Sequence, residues 1–255
     1  MSKETSIKPY ADQATDKKSQ VTEMFDNISG HYDRMNRLIT FGMDVGWRKK
    51  VLKIVADSHP RSILDIATGT GDMPLLMKTA GAERIVGIDI SPGMLSVAKQ
   101  KIQDQNLEEL ISFELGDAEN LPYPDQTFDA ATVSYGIRNF QDLQQGLSEI
   151  LRVLSSDGVL VILETSVPRS FPMKQGYWIH TKVVLPLVGR LFSTDKRAYS
   201  YLGDSAHVFP YGERLKNILM EVGYTDVTVM PQAGGISTIY KAVKKRALVD
   251  FNNRS

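Results

Sequence analysis

The chain reads as an α/β protein: a doubly wound parallel sheet of seven strands, closed at one edge by an antiparallel hairpin. Three observations predict it. From residue 61 onward, short apolar runs alternate with stretches of helical spacing. The first apolar run, in "RSILDIATGTGDMP" at 61–74, empties into a Gly-x-Gly loop. The last two strand patterns are joined by "PQAGG" with no helix between them, a connection short enough only for an antiparallel pair.

Taken in order, residues 1–20 are polar and charged and are expected to form a flexible N-terminal tail. Apolar residues then recur at helical spacing: Val21, Met24, Phe25 and Ile28, then Leu38 and Ile39, then Val45, Trp47, Val51, Leu52 and Val55. This predicts two or three helices over 21–58, broken at "SGHYD" and "TFGMD". Strands are expected at Ser62–Ala67, Ile85–Ile90, Ile111–Leu115, Phe128–Tyr135, Val159–Glu164, Thr225–Met230 and Ile236–Val243. Helices are expected near 72–80, 92–105, 141–153 and 212–222. Residues 21–245 then make one domain, with 168–210 inserted as a helical cover and 246–255 left as a C-terminal tail. A βαβ core closed by a terminal hairpin is the Rossmann-like pattern of class I methyltransferases, not of the six-stranded dehydrogenase fold.

Composition narrows the function classes. Of the residues, 42% are hydrophobic and 24% charged, and thirty basic residues offset thirty acidic ones. No global field draws the chain to nucleic acid. The absence of cysteine excludes disulfides, thiolate catalysis and zinc–sulfur sites. His31, His59, His180 and His207 lie far apart, so no metal site is expected. The N-terminus lacks the apolar core of a signal peptide, and no apolar run reaches the ~18 residues that span a bilayer. A cytoplasmic protein is expected, one able to touch a membrane without crossing it.

The glycine loop indicates the ligand. In a dinucleotide fingerprint, the third glycine packs the helix on the strand and leaves amides open to a pyrophosphate. Here that position, three residues past Gly71, is Pro74, which has a bulky ring and no N–H. There is no Gly-Lys-Ser/Thr sequence either. The ligand is expected to be nucleoside-like and phosphate-free, and S-adenosylmethionine fits. Asp89 follows Gly69 by twenty residues, the distance at which a carboxylate reaches ribose hydroxyls. Asp117 and Ala118 follow the third strand, placed to offer an acceptor to an adenine amino group and a backbone N–H to its ring.

With these residues in view, the chain resembles the ubiquinone/menaquinone biosynthesis C-methyltransferase family from about Val21 to Lys244. The matching pieces are "MFDNISGHYDRMNRLITFGMDVGWRKK", "LDIATGTGD", "GDAENLPYPDQTFDAATVSYGIRNF", "LRVLSSDGVLVILE" and "VLPLVGRLFSTDKRAYSYLGDS". The resemblance implies Thr70, Asp89, Asp117, Ala118 and Ser134 as cofactor contacts, with Asp65, Gly69 and Gly71 shaping the loop. Tyr135 departs from a frequent phenylalanine and brings a hydroxyl to the expected substrate side; "LETS" and "YLGDS" are further departures. The implied activity is methyl transfer from S-adenosylmethionine to a ring carbon of a prenylated hydroquinone. The loop text "ATGTGD" resembles menaquinone-only members, which favours demethylmenaquinol over the benzoquinol precursor of ubiquinone.

Such chemistry needs an electron-rich ring, hence a base or a cation that stabilises a phenolate. Arg138, in "YGIRN" just past the fourth strand, is the leading candidate, with Asn139 holding geometry. His31 is the alternative base, in a "HYD" break that can act as a lid, and His207 is a weaker one. A lipid-tailed substrate needs an apolar access. The 168–203 stretch carries bulky apolar groups beside Lys174, Lys182, Arg190, Lys196 and Arg197, which suits a cover over the pocket, a homodimer contact or a bilayer headgroup boundary. A methyltransferase for another small aromatic, or a non-catalytic quinone-binding protein, are the competing readings. A nucleic-acid methyltransferase is disfavoured, because "SYGIRN" replaces the Pro-Pro-aromatic group that grips a flipped base.

Overall fold

The computed structural model describes residues 7–10, 12–168, 170–184 and 196–245. The C-terminal tail, most of "VVLPLVGRLF" with Arg190, and the side chains of Lys182 and Lys196 lie outside the described residues. Three N-terminal helices come first: α1 (Lys17–Ile28), α2 (Tyr32–Ile39) and α3 (Met43–Ala56). They are separated where the sequence breaks, by a 3-10 turn at Ser29–His31 and by a turn in which Phe41 and Gly42 both take positive φ. α1 begins inside the stretch whose polarity marks it as tail. Asp16 caps it by accepting from the Ser19 amide, and buried Gln20 accepts from the Tyr10 amide at 2.9 Å. Polar residues pack here because each finds a partner, a feature that hydropathy does not register.

The sheet contains β1 (Ser62–Ile66), β2 (Arg84–Asp89), β3 (Ile111–Leu115), β4 (Phe128–Ser134), β5 (Leu154–Thr165), β6 (Tyr224–Gln232) and β7 (Ser237–Lys244), in the order β3-β2-β1-β4-β5-β7-β6. The first five strands pair in parallel, and β7 runs antiparallel to both β5 and β6. This is the class I methyltransferase sheet. Leu64 is in register with Val86 on one side and Ala131 on the other. The strand order therefore reverses between β1 and β4, and ligands in open α/β sheets bind outside the carboxyl ends at such a point.

Alternate residues of each strand feed opposite faces. Leu64, Val86, Ala131 and Leu160 pack against Leu147 and Ile150 of α6 (Leu143–Val153) and against Leu215 and Leu219 of a later helix. Ile63, Ile85, Ala130 and Val161 pack against Trp47 and Val51 of α3, Met73 and Met77 of α4 (Asp72–Met77), and Leu95 of α5 (Pro92–Gln103). α7 (Met173–Ile179), α8 (Lys196–Val208) and α9 (Glu213–Val222) follow β5. A third apolar cluster, with Val21, Met24, Met35, Met94 and Tyr201, ties α1, α2 and α8 to α5. It roofs the carboxyl edge of the sheet.

Candidate functional site

β1 delivers the chain to a loop built on left-handed backbone at Ala67, Gly69 and Gly71, with φ of 53°, 57° and 81°. Gly71 has no room for a side chain: a Cβ would lie 2.7 Å from Phe113 Cζ and 3.0 Å from Ala98 Cβ. Asp65 supports the loop from below, accepting from the Thr68 hydroxyl at 2.6 Å and the Thr132 hydroxyl at 2.5 Å. Burial pushes its carboxyl up from 3.8 to about 6. Thr70 donates its hydroxyl to Asp33, tying the loop to α2. Of the residues expected at the cofactor, Asp65, Thr70 and Gly71 thus build the loop, whereas Gly69, Asp89, Asp117, Ala118 and Ser134 line the space beyond it.

That space is a crevice at the carboxyl ends of β1, β2 and β4. Asp89 sits at its floor and accepts from the Gly69 amide at 2.8 Å and the Ser91 amide at 2.9 Å. Burial raises its carboxyl from 3.8 to about 6. Asp117 accepts from Lys18 Nζ at 2.5 Å and from the Glu119 amide at 2.9 Å. Phe25, Tyr32, Ile88, Met94 and Phe140 supply apolar walls. The buried Ser134 hydroxyl has no hydrogen-bond partner within the protein. Among the lining residues are three carboxylates, Asp89, Asp117 and Glu119, and one ammonium, Lys18, which is bound to two of them. A pyrophosphate would meet repulsion here. A nucleoside carrying a sulfonium cation meets hydroxyl acceptors, an unpartnered polar atom and compensating charge. The residues present fit S-adenosylmethionine.

A second, larger cavity adjoins the first, and Tyr32 and Tyr135 line both. Its walls are mainly apolar, with Ile39, Phe41, Trp47, Met173, Tyr177 and Leu202 among them. Tyr135 holds a φ of 59°, an unusual conformation for a bulky side chain. It is fixed from three sides. Its amide donates to Leu163 O at 2.7 Å, its hydroxyl shares a hydrogen bond with Ser237 Oγ at 3.1 Å, and its carbonyl accepts from Arg138 at 2.6 Å.

Arg138 lines this chamber and is buried, its guanidinium also donating to Glu164 Oε1 at 2.9 Å. Burial works most strongly against its charge, but Glu164, Tyr32 and Tyr201 together outweigh it and raise its pKa. Asn139 lines the crevice and accepts from the Tyr201 hydroxyl at 3.1 Å. His31 is exposed and lines neither cavity. The 3-10 turn after α1 points it to solvent and brings its neighbour Tyr32 inward instead. His207 packs edge-on against Tyr177 at 5.7 Å without lining either space. Lys18, Phe140 and Gln141, which the sequence reading did not single out, complete the crevice wall. Helical periodicity marks such residues only as helix or loop, and their roles arise from how α1 lies across the sheet.

Comparison with known proteins agrees with this geometry. The model of the ubiE/COQ5 methyltransferase family matches residues 12–244. A demethylmenaquinone methyltransferase of Bacteroides fragilis is 44% identical over 239 residues, covering 93% of this chain and 97% of that one. A ubiquinone/menaquinone biosynthesis C-methyltransferase UbiE of Geobacter sulfurreducens is 42% identical over 232 residues, covering 90% of each. Among solved structures, the [4+2]-cyclase SpnF superposes with a TM-score of 0.62 at 18% identity, covering 90% of this chain and 97% of that one. A SAM-dependent methyltransferase from Aquifex aeolicus gives 0.55 at 18% identity, covering 77% and 89%. These two likenesses speak to the fold, and the sequence match speaks to the family. The match over residues 12–244 and relatives above 40% identity over nine-tenths of the chain, on a fold that joins an acid-lined crevice to a mainly apolar chamber, make this protein a member of the ubiE/COQ5 methyltransferase family.

Proposed function

We propose that this protein transfers a methyl group from S-adenosylmethionine to a ring carbon of demethylmenaquinol. The observation that carries the reading is the junction of the two cavities at Tyr32 and Tyr135, where a polar ligand in one can present a group to an apolar molecule in the other. The name of the Bacteroides fragilis relative supports the menaquinone precursor. The Geobacter sulfurreducens relative, named for both quinones, makes the ubiquinone precursor the second substrate to test.

S-adenosylmethionine, when bound, would supply an electrophilic methyl group on a cationic sulfur. Asp89 would accept from its ribose hydroxyls, Ser134 Oγ would gain the partner it lacks, and Asp117 with the Ala118 amide would take the adenine edge. The chain's largest contribution is then alignment of the nucleophilic carbon, which the shared walls Tyr32 and Tyr135 impose. Its second is charge. A phenolic hydroxyl has a pKa of about 10, so only about one in a thousand is ionised at pH 7, and stabilising the phenolate is worth roughly 4 kcal/mol. Arg138 is a permanent cation in an apolar chamber, suited to hold that phenolate but not to remove its proton, which leaves to water. As the C–CH₃ bond forms and the S–CH₃ bond breaks, the hydrogen on the methylated carbon would pass as a proton to the ring oxygen and restore the hydroquinone.

The same reading gives the chamber mouth a role at a membrane surface. Phe41 and Met43 line the chamber while remaining exposed to solvent, and exposed Phe171 adjoins the lining residue Pro172. A prenyl tail passing from bilayer to chamber would meet an apolar path.

The test is product analysis by mass spectrometry after incubating purified protein and S-adenosylmethionine with each reduced quinol. Demethylmenaquinol should gain one methyl group on carbon. Arg138→Ala should lose turnover by about 10²-fold or more, with cofactor affinity by calorimetry within about threefold. Methylation of neither quinol by protein that binds the cofactor would overturn the reading.

A further inference from the structure

The chamber holds a second guanidinium to which neither the sequence nor the family match gives a task. Among its described lining residues only Asp44, Arg48 and Arg138 are charged. Arg48 projects from α3 with 12% of its side chain exposed, and its buried Nε has no hydrogen-bond partner. Its nearest anion is Asp44, whose Oδ2 lies 3.6 Å from that Nε, too far for a hydrogen bond. The Asp44 oxygens are engaged elsewhere, by Arg37 at 3.2 Å and by the Thr40 hydroxyl at 2.7 Å. Asp44 thus shares its charge between Arg37 and Arg48 without accepting from Arg48 Nε. Arg138 is similar: one arm is used by Tyr135 O and Glu164, while its Nε is buried and unpartnered.

The two cations flank one residue. The Arg48 guanidinium carbon stands 6.0 Å from the centroid of the Tyr135 ring, and Arg138 donates to the carbonyl of the same tyrosine. A prenyl tail has no use for either charge. Burying an unsatisfied donor in apolar surroundings costs about 1–3 kcal/mol, a cost removed when an oxygen of the bound molecule accepts from it. A hydroquinone has two such oxygens, on opposite sides of its ring.

We propose that Arg48, kept in place by Asp44, binds the hydroquinone oxygen para to the one that faces Arg138. The inference rests on the quinol reading above. A ring held at one oxygen can pivot about it, whereas a ring held at both presents a fixed carbon to the crevice at Tyr32 and Tyr135. Arg48 is a substrate-binding residue that sets orientation, and Asp44 acts through it as a positioning residue.

The experiment compares wild type, Arg48→Gln and Arg48→Lys on two probes. One is demethylmenaquinol; the other is its deoxy analogue, a prenylated 1-naphthol with hydrogen in place of the hydroxyl next to the prenyl-bearing carbon, which leaves Arg48 no oxygen to donate to. Wild type should use the quinol about 10–100-fold better than the deoxy analogue, as loss of a hydrogen bond to a charged group predicts. Arg48→Gln should lower kcat/KM for the quinol by a similar factor and use the two probes nearly equally, with cofactor affinity within about twofold. Arg48→Lys should restore part of the discrimination, because it keeps a cation. Should Arg48→Gln discriminate between the probes as strongly as wild type, the assignment of Arg48 is overturned while the functional reading stands. Wild-type protein that methylates neither probe overturns the functional reading and this inference with it.

Discussion

Asp89 shows how one side chain links the loop, the ligand and pH. It accepts from the amides of Gly69 and Ser91, yet burial dominates and lifts its carboxyl from 3.8 to about 6. Because the folded pKa lies above the unfolded one, the native protein binds more protons between those values. This group's contribution to stability therefore falls as pH rises through about 4 to 6 and is unfavourable at neutrality. Ribose hydroxyls donating to the carboxylate favour its ionised form, so binding recovers part of that cost and competes with protonation below about pH 6. Cofactor affinity measured by calorimetry should be flat above pH 7 and fall towards tenfold per unit below 6, with Asp89→Asn weaker but nearly independent of pH. Asp65, also raised to about 6, does not line the crevice, which makes the Asp89 variant the deciding control. A pH-independent wild-type affinity would contradict the role.

The spacing in sequence places Gly69, Asp89, Asp117, Ala118 and Ser134 at one edge, and the structure brings all five to one crevice. Such residues are legible because they stand at strand ends, where position along the chain fixes position in space. Arg48 is not legible in this way. It lies in the basic run "WRKK", and only the rotation of α3 turns it partly inward while Lys49 and Lys50 stay exposed. His31 is the converse, a chemically attractive residue turned outward by one 3-10 turn.

Between residues and fold, the elements depend on local backbone demands that the sequence states with uneven clarity. The breaks at "SGHYD" and "TFGMD" and the caps at Ser91 and Asp142 follow ordinary turn and cap chemistry. β5 differs: it starts at Leu154, five residues before its apolar run. The polar "SSDG" hides a stretch that still pairs, with Leu154 opposite Phe128 across an irregular register. Alternation of hydrophobicity cannot reveal a strand whose side chains face solvent at a sheet end.

The glycine loop allows a direct contrast. Gly71 combines a φ of 81° with contacts that leave no space for a Cβ, so Gly71→Ala adds left-handed strain to overpacking against Phe113. The expected loss is roughly 2–4 kcal/mol, or a melting temperature lower by about 5–15 °C for a chain of this size. Gly46, in the middle of α3, has nothing within 4 Å of a built Cβ. Gly46→Ala should be neutral or stabilising by up to about 1 kcal/mol. Thermal melts in which both variants behave alike would show that the loop tolerates what its geometry forbids.

At the scale of the whole molecule, charge and apolar surface are distributed differently. The thirty basic and thirty acidic residues cancel, and no described helix is long and apolar enough to cross a membrane. Apolar exposure nevertheless gathers beside the chamber: Phe41 is 68% exposed on the turn before α3, and Phe171 and Trp178 are 80% and 61% exposed around α7. Clustered large exposed side chains mark a contact surface. At the edge of a chamber suited to a lipid-tailed ring, a bilayer is the partner proposed. With balanced charge, binding should depend on apolar insertion more than on anionic lipid, and added salt should weaken it little. Neither Phe171 nor Trp178 lines the chamber, so surface and chemistry are separable. Each aromatic half-buried in the interface is worth roughly 2 kcal/mol. The double substitution Phe171→Ser with Trp178→Ser should therefore reduce co-sedimentation with phosphatidylcholine vesicles by at least about tenfold. Turnover of a short-tailed, water-soluble quinol should stay within about twofold, while turnover of a long-tailed quinol delivered in vesicles should fall with binding. Wild-type protein that stays in the supernatant with neutral and anionic vesicles alike, or a double variant that sediments as well as wild type, would remove the rim from any membrane role.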